Sequence, residues 1–269
     1  MNFGLIIIGD EILSGKRQDK HLAKVIELLG ARGLSLAWAQ YLGDEPVRIT
    51  AALRTAFASG DVVFSCGGIG ATPDDHTRQC AAAALDRPLA LHPQARELIM
   101  ARVRKLAVEQ GWTADPDHPD TIHRLNMGVF PEGATIIPNP YNQIPGFSVG
   151  EVHFVPGFPV MAHPMIEALL DGRYAHLHGG GAQQERSVIV YGAMEASLTP
   201  LMIDIEARFP GVKVFSLPSV DHPEHGRHIE LGVKGRGEAL LSAYAALLAG
   251  LRSRGVPLGP EMVRGTGDQ

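Results

Sequence analysis

Hydrophobic positions in the N-terminal third alternate between two kinds of run. Residues 5–8 (LIII) form a short unbroken apolar stretch ended by Gly9, the pattern of a strand buried on both faces. Residues 19–30 place Leu22, Val25, Ile26 and Leu29 at helical spacing and stop at Gly30. Residues 34–41 alternate as a second strand. Residues 46–58 space Val47, Ile49, Leu53 and Phe57 as an amphipathic helix, with Pro46 in its first turn. A third strand is predicted at 61–66 and a third helix at 77–85. Strands alternating with helices of this length predict right-handed βαβ units and an α/β, three-layer fold on a mainly parallel sheet. A longer helix follows at 92–110, then a polar loop at 111–120 rich in Asp and Pro. Short strands at 134–137, 146–148 and 152–155 and a helix at 159–170 complete a domain placed at residues 1–175.

Residues 174–184 contain HLHGGGAQQ, which reads as a linker. The pattern then restarts with a strand at 187–191, a helix at 197–209, strands at 212–216 and 228–233, and a helix at 238–251. This predicts a small α+β domain over residues 186–255 and, from its polar and glycine-rich composition, a flexible tail over 256–269.

With 269 residues, 45% of them hydrophobic, the chain can bury a substantial core without disulfides. Cys66 and Cys80 are too few for a disulfide scaffold or a four-cysteine zinc site and fit a reducing compartment. A formal charge of −5 argues against a nucleic-acid partner. The start MNFGLIIIGDE lacks the features of a signal peptide, and no stretch approaches the roughly 20 apolar residues of a membrane span. The expectation is a cytoplasmic protein without membrane contact.

The densest candidate chemistry is SCGGIGATPDDHT at residues 65–77, which follows a predicted strand and opens a helix. Glycines there let the backbone approach an anion, and the helix end offers free N–H groups and a favourable dipole. The spacing matches neither the dinucleotide fingerprint nor a P-loop. A plainer alternative is a tight strand-to-helix turn with Asp75 as its N-cap. Two further acidic turns, Gly9-Asp10-Glu11 and Gly43-Asp44-Glu45, follow the first two strands. Parallel strands would put all three turns on the carboxyl edge of the sheet, where open α/β sheets bind ligands. Asp10, Glu11, Asp44, Asp74 and Asp75 are therefore expected to converge. Carboxylates beside a phosphate call for a hard cation between them, and Mg²⁺ or another divalent cation suits that place. Each acid alone also has a plain reading as a helix cap or solvated turn residue, the better one for Glu45. Lys16, Arg17, Lys20 and Arg78 are the candidate phosphate-facing cations. His222, His225 and His228, like His176 and His178, lack a zinc-site pattern, and Cys66 reads as a buried structural thiol.

The runs GDEILSGKRQDKH, LGD at 42–44 and GGIGATPDDHT resemble the molybdenum-cofactor-biosynthesis domain, in the order that family has them. FPEGATIIPNPYNQIPGF followed by VPGFPVM is similar to its competence/damage-inducible (CinA) branch in particular. The resemblance covers residues 1–170. Residues 186–255 are similar to the small domain that follows in CinA proteins, without the amidohydrolase domain many of them carry. It implies a site for molybdopterin, a related pterin phosphate or a nucleotide phosphate at the strand ends, in a homo-oligomer. In the molybdopterin adenylyltransferase branch two aspartates are central, and by motif they fall on Asp44 and Asp75. These would be the catalytic residues and, with Asp10, the metal ligands. Gly9, Asp10, Glu11, Ser14, Gly67, Gly68, Gly70, Thr72, Asp74 and Thr77 would bind the ligand. Asn139, Gly146, Pro156 and Gly157 would wall it.

The chain departs from the family pattern at Asp19-Lys20-His21, at Ala71, at Asn142-Gln143-Ile144, and at Phe158 and Val160, several of them toward the ligand's far end. Three readings follow. The first is a pterin- or nucleotide-phosphate-binding protein, with Mg²⁺-dependent nucleotidyl transfer if it turns over. The second, implied by the resemblance to the CinA branch, is a metal-dependent pyrophosphatase for ADP-ribose-like dinucleotides, and the third a non-catalytic ligand-binding or assembly module.

Overall fold

A computed structural model describes residues 1–179 and 184–265. The chain forms two compact units, one of Met1–Leu29 and Ser35–His176, the other of Gly30–Leu34 and Leu177–Gln269.

The first unit runs β1 (Phe3–Ile8), α1 (Asp10–Leu13), α2 (His21–Gly30), β2 (Leu36–Leu42), α3 (Pro46–Ser59), β3 (Val62–Cys66) and α4 (Thr77–Leu85). It continues with β4 (Leu89–Leu91), α5 (Pro93–Gln110), α6 (Pro119–Leu125), β5 (Val129–Pro131), β6 (Thr135–Ile137), β7 (Gly146–Val149), β8 (Val152–Val155) and α7 (Pro159–Asp171). Its main sheet has the order β2-β1-β3-β8-β7-β6. Strands β2, β1, β3 and β8 are parallel, and β7 and β6 return antiparallel. The expected α/β fold on a mixed, mostly parallel sheet is present.

Every residue of β1, β3, β7 and β8 is buried, as continuous apolar runs demand when both sheet faces are covered. Phe147 stacks between Phe130 and Phe154 with ring centroids 4.5 and 4.4 Å away. Asp19 caps α2, accepting the His21 and Leu22 amides at 2.7 and 3.1 Å. From β1 the chain goes by α2 to β2 on one side. It crosses back by α3 to β3 on the other side of β1. The connections leaving β1 and β3 therefore diverge, and a crevice opens beyond their carboxyl ends.

The expected polar loop at 111–120 is present over residues 111–118, and α6 then begins, opened by Pro119 and capped by the His118 imidazole, which accepts the Asp120 amide at 3.3 Å. The short ribbon β4–β5 was also not expected.

At the opposite edge of the sheet from the crevice lies a buried polar chain. The Ser148 hydroxyl bonds His153 Nδ1 at 2.7 Å, His153 Nε2 bonds the Tyr174 hydroxyl at 2.5 Å, and that hydroxyl donates to Glu151 at 2.5 Å. Burial pushes the His153 pKa down to about 3, with nearby Arg173 acting the same way. On acidification the unfolded chain therefore takes up this proton before the folded one does. The stability the neutral imidazole contributes is complete above its ordinary pKa and is lost as pH falls toward 3. One such group lowers stability by about 1.4 kcal/mol per pH unit in that window. Denaturant unfolding at pH 6 and pH 5 is expected to show the loss, with a shallower slope in His153→Gln. An unchanged slope in the variant would remove His153 as its source.

The second unit contains β9 (Gln184–Tyr191), α8 (Glu195–Arg208), β10 (Lys213–His222), β11 (Gly226–Gly235), α9 (Gly237–Ser253) and β12 (Leu258–Gly265). The order β10-β11-β9-β12 is fully antiparallel, and Leu198, Leu201, Leu240 and Leu247 pack from the helices into the core. Residues 258–265 are thus an edge strand, not the flexible tail expected. They complete the free side of β9, and Arg264 bridges to Glu230 at 2.5 Å. An edge strand exposes much of its side-chain surface, so its polar composition carries no strand signal. Parts of the expected linker and tail, residues 180–183 and 266–269, lie outside the described residues.

Candidate functional site

Strands β1, β3 and β8 end side by side at the crevice, where a cavity of about 490 Å³ opens. It gathers Gly9 from the end of β1, Asp44 from the turn after β2, residues 67–72 with Asp74 and Asp75 after β3, and Pro156 and Gly157 after β8. Glu11 and Asn139 line it as well.

Lys16 and Lys20 do not line this cavity, and neither do four of the residues the resemblance places in the site, each of which has a local task instead. Asp10 and Asp44 lock their turns together. The Asp10 amide donates to Asp44 Oδ2 at 2.9 Å, and the Asp44 amide donates to Asp10 Oδ1 at 3.2 Å. Ser14 terminates α1, its amide bonding the Asp10 carbonyl at 2.8 Å. The Thr77 hydroxyl holds the Gly67 carbonyl at 3.0 Å from beneath the loop. Gly146 sits inside β7, where a side chain would strike the Phe154 carbonyl.

Within the glycine loop Gly67 has φ +108 and Gly68 φ +67, conformations that favour glycine. A Cβ at Gly67 would lie 2.3 Å from the Ile8 carbonyl oxygen. The Gly67 amide is used, bonding the Val155 carbonyl at 3.0 Å. The Thr72 amide is used too, donating to Asp75 Oδ2 at 2.9 Å. The amides of Gly68, Ile69, Gly70 and Ala71 meet no acceptor among the described residues.

Asp75 does not cap α4. That helix starts after His76 without a side-chain cap, while Asp75 turns back to accept both the amide and the hydroxyl of Thr72. Arg78 is likewise not a phosphate-facing cation. It is 5% exposed, and its guanidinium donates to the Gly70 carbonyl at 2.6 Å and to the Asn126 carbonyl, bracing the loop from inside. Arg17 does line the cavity, 4.0 Å from Glu11.

Burial raises the Asp44 pKa above the ordinary carboxyl value. The Asp10 amide opposes this, and repulsion from Asp10, Glu11 and Asp74 adds to it. Among the described residues no three His, Cys, Asp or Glu side chains converge into a complete metal cage. Cys66 is buried, and burial pushes its thiol up, away from the thiolate a nucleophile needs.

Ile144, which the sequence analysis placed toward the ligand's far end, lines the cavity, while Met127, Pro145 and Met161 were missed, apolar side chains that carry no chemical signature in a motif. His21 is another contributor. It is 4% exposed, and its Nε2 lies 3.1 Å from the carbonyl of Gly157, tying α2 to the cavity wall. No helix is long and apolar enough to cross a membrane among the described residues.

Residues 4–176 match the family described as "Probable molybdopterin binding domain". A CinA-like protein of Syntrophotalea carbinolica is 30% identical over 223 residues, covering 78% of this chain and 51% of the relative. This chain thus spans about half the length of that relative. A protein of Pyrobaculum calidifontis is 31% identical over 254 residues, covering 90% of this chain and 92% of the relative. The crystal structure of CinA, a protein with unknown function from Thermoplasma acidophilum, superposes with a TM-score of 0.52 at 28% identity. It covers 64% of this chain and 98% of that one.

Proposed function

This chain belongs to the molybdopterin-binding domain family, and from that premise we propose that its cavity binds the phosphate of a pterin or nucleotide with a divalent cation. The observation that carries the reading is the four amides of Gly68, Ile69, Gly70 and Ala71. They meet no acceptor among the described residues and stand beside Asp44 and Asp75, which come from separate strand ends. Backbone N–H groups at a strand-to-helix turn take phosphate oxygens. The carboxylates would repel that phosphate unless a cation such as Mg²⁺ lay between them.

When bound, the cation would polarise the phosphoryl group and neutralise charge developing on it. This chain's residues do the rest. The Gly68–Ala71 backbone orients the phosphate, Arg78 and Thr77 hold that backbone in place, and Asp10 keeps the Asp44 carboxylate aimed by hydrogen bonding to its neighbouring oxygen. The apolar residues Ile144, Pro145 and Met161 are placed to cover the organic part of the ligand.

A panel of nucleoside monophosphates, ADP-ribose and a pterin phosphate, each with and without Mg²⁺, Mn²⁺ or Co²⁺, tests the proposal by calorimetry and product analysis. Metal-dependent binding of at least one phosphate ligand is expected. AMP released from ADP-ribose would assign pyrophosphatase activity, and binding without turnover a ligand-binding module. Binding of no phosphate ligand under any condition would overturn the proposal.

A further inference from the structure

The segment between β6 and β7 lies apart in sequence from the glycine loop but lines the same cavity, and hydrogen bonds fix its side chains. Asn139 is 4% exposed. Its Oδ1 accepts the Tyr141 amide at 3.0 Å, and its Nδ2 donates to the Ile144 carbonyl at 3.0 Å and to Asn142 Oδ1 at 2.8 Å. Asn142 Oδ1 also accepts the Ile144 amide at 3.0 Å. Because a backbone N–H can only donate, these bonds leave one orientation for each amide group. Asn142 Oδ1 is satisfied twice over. Among the described residues its Nδ2 finds only Met161 Sδ, at 3.6 Å, a weak acceptor. Asn142 and Met161 both line the cavity, next to Ile144 and Pro145. A hydrogen-bonded relay thus fixes a polar N–H, with no strong partner among the described residues, on a cavity-lining residue beside Ile144, Pro145 and Met161.

We propose that Asn142 is a specificity-determining residue whose amide N–H reads a ring carbonyl on the heterocyclic end of the ligand. The site thereby selects oxo heterocycles, such as hypoxanthine, guanine or a pterin lactam, over 6-amino purines. This rests on the phosphate-ligand reading above and goes beyond it in naming the class of heterocycle. A few placed polar groups in an apolar pocket fix a ligand's orientation. Asparagine that recognises adenine does so through both amide atoms, accepting from the exocyclic amine and donating to a ring nitrogen. Here the accepting atom is already spent inside the protein, so only the donor remains. An exocyclic amine would set donor against donor, while a ring carbonyl completes the pair.

Inosine and adenosine 5′-monophosphates differ at this position and make the test. Binding of each to the full chain is measured by calorimetry in Mg²⁺. The wild type is expected to prefer the inosine nucleotide by about tenfold or more, the worth of a single well-made hydrogen bond. Asn142→Asp keeps an oxygen for the Asn139 and Ile144 donors and turns an acceptor toward the cavity, so the preference should invert. Asn142→Ala removes the donor and should bring the ratio near one. Both variants are checked for an unchanged melting temperature, and either one alone suffices if the other fails to fold. Equal binding of the two nucleotides by the wild type, or the same preference in wild type and variants, overturns this assignment alone. Binding of neither nucleotide by the wild type, with or without metal, overturns this assignment, and the phosphate reading falls with it only if no ligand of the wider panel binds either.

Discussion

Asp44→Asn and Asp75→Asn are each expected to abolish metal-dependent ligand binding while leaving the melting temperature nearly unchanged. Asp44 Oδ2 accepts the Asp10 amide at 2.9 Å, a bond an asparagine oxygen makes equally well. What the substitution removes is a charge that burial and repulsion from Asp10, Glu11 and Asp74 already make costly. The folded state therefore loses nothing by it. At Asp75 one oxygen takes both the amide and the hydroxyl of Thr72, at 2.9 and 2.5 Å, and an amide oxygen can replace it. A neutral amide is a much poorer ligand for Mg²⁺ than a carboxylate. A loss of roughly 100-fold or more is expected, since even groups that only support a metal ligand cost 10–100-fold. If both residues serve one bound cation, the double variant is no worse than the worse single one. Calorimetry against metal concentration, beside thermal unfolding, makes the measurement. Full metal-dependent function in Asp75→Asn would reduce Asp75 to a support of the Thr72 turn.

Gly67→Ala is expected to be among the most destabilising single changes in the first unit. The residue holds φ +108, and a Cβ there would lie 2.3 Å from the Ile8 carbonyl oxygen, a backbone atom that cannot step aside without moving β1. Backbone strain of about 1–3 kcal/mol and overpacking of about 1–3 kcal/mol add. Together they lower the melting temperature by roughly 5–20 °C. Gly150→Ala provides the comparison, because Gly150 has φ +58 with nothing within 4 Å of its Cβ position. It carries the strain without the clash and should lose only the smaller share. Equal losses in the two variants would show that contact with β1 does not hold the loop. Gly70→Ala separates stability from function, since its Cβ would meet the Asp75 carboxylate at 2.5 Å rather than backbone. It should shift the acid and weaken ligand binding with little change in unfolding.

The first unit's βαβ order was legible from sequence because strands buried on both faces and helices buried on one leave distinct apolar periods. Residues 5–8, 62–66 and 152–155 could hardly be anything but interior strands. The glycine loop was legible for the same local reason, since GGIGATPDD between a strand and a helix is its own signature. Placing Asp44 and Asp75 on one edge needed only the parallel topology. What those residues do there was decided by contacts distant in sequence. Asp10 and Asp44 are 34 positions apart and lock each other's turns. Arg78, which composition offered as a phosphate-facing cation, is drawn inward by the carbonyls of Gly70 and Asn126, the latter 48 positions away. Residues 258–265 became a strand because β9 had an open edge, an attribute of its partner and not of its own polar composition. Local pattern determines which face of an element is apolar, but the direction of a single polar hydrogen, such as that on Asn142 Nδ2, is set by which donors and acceptors the fold brings around it.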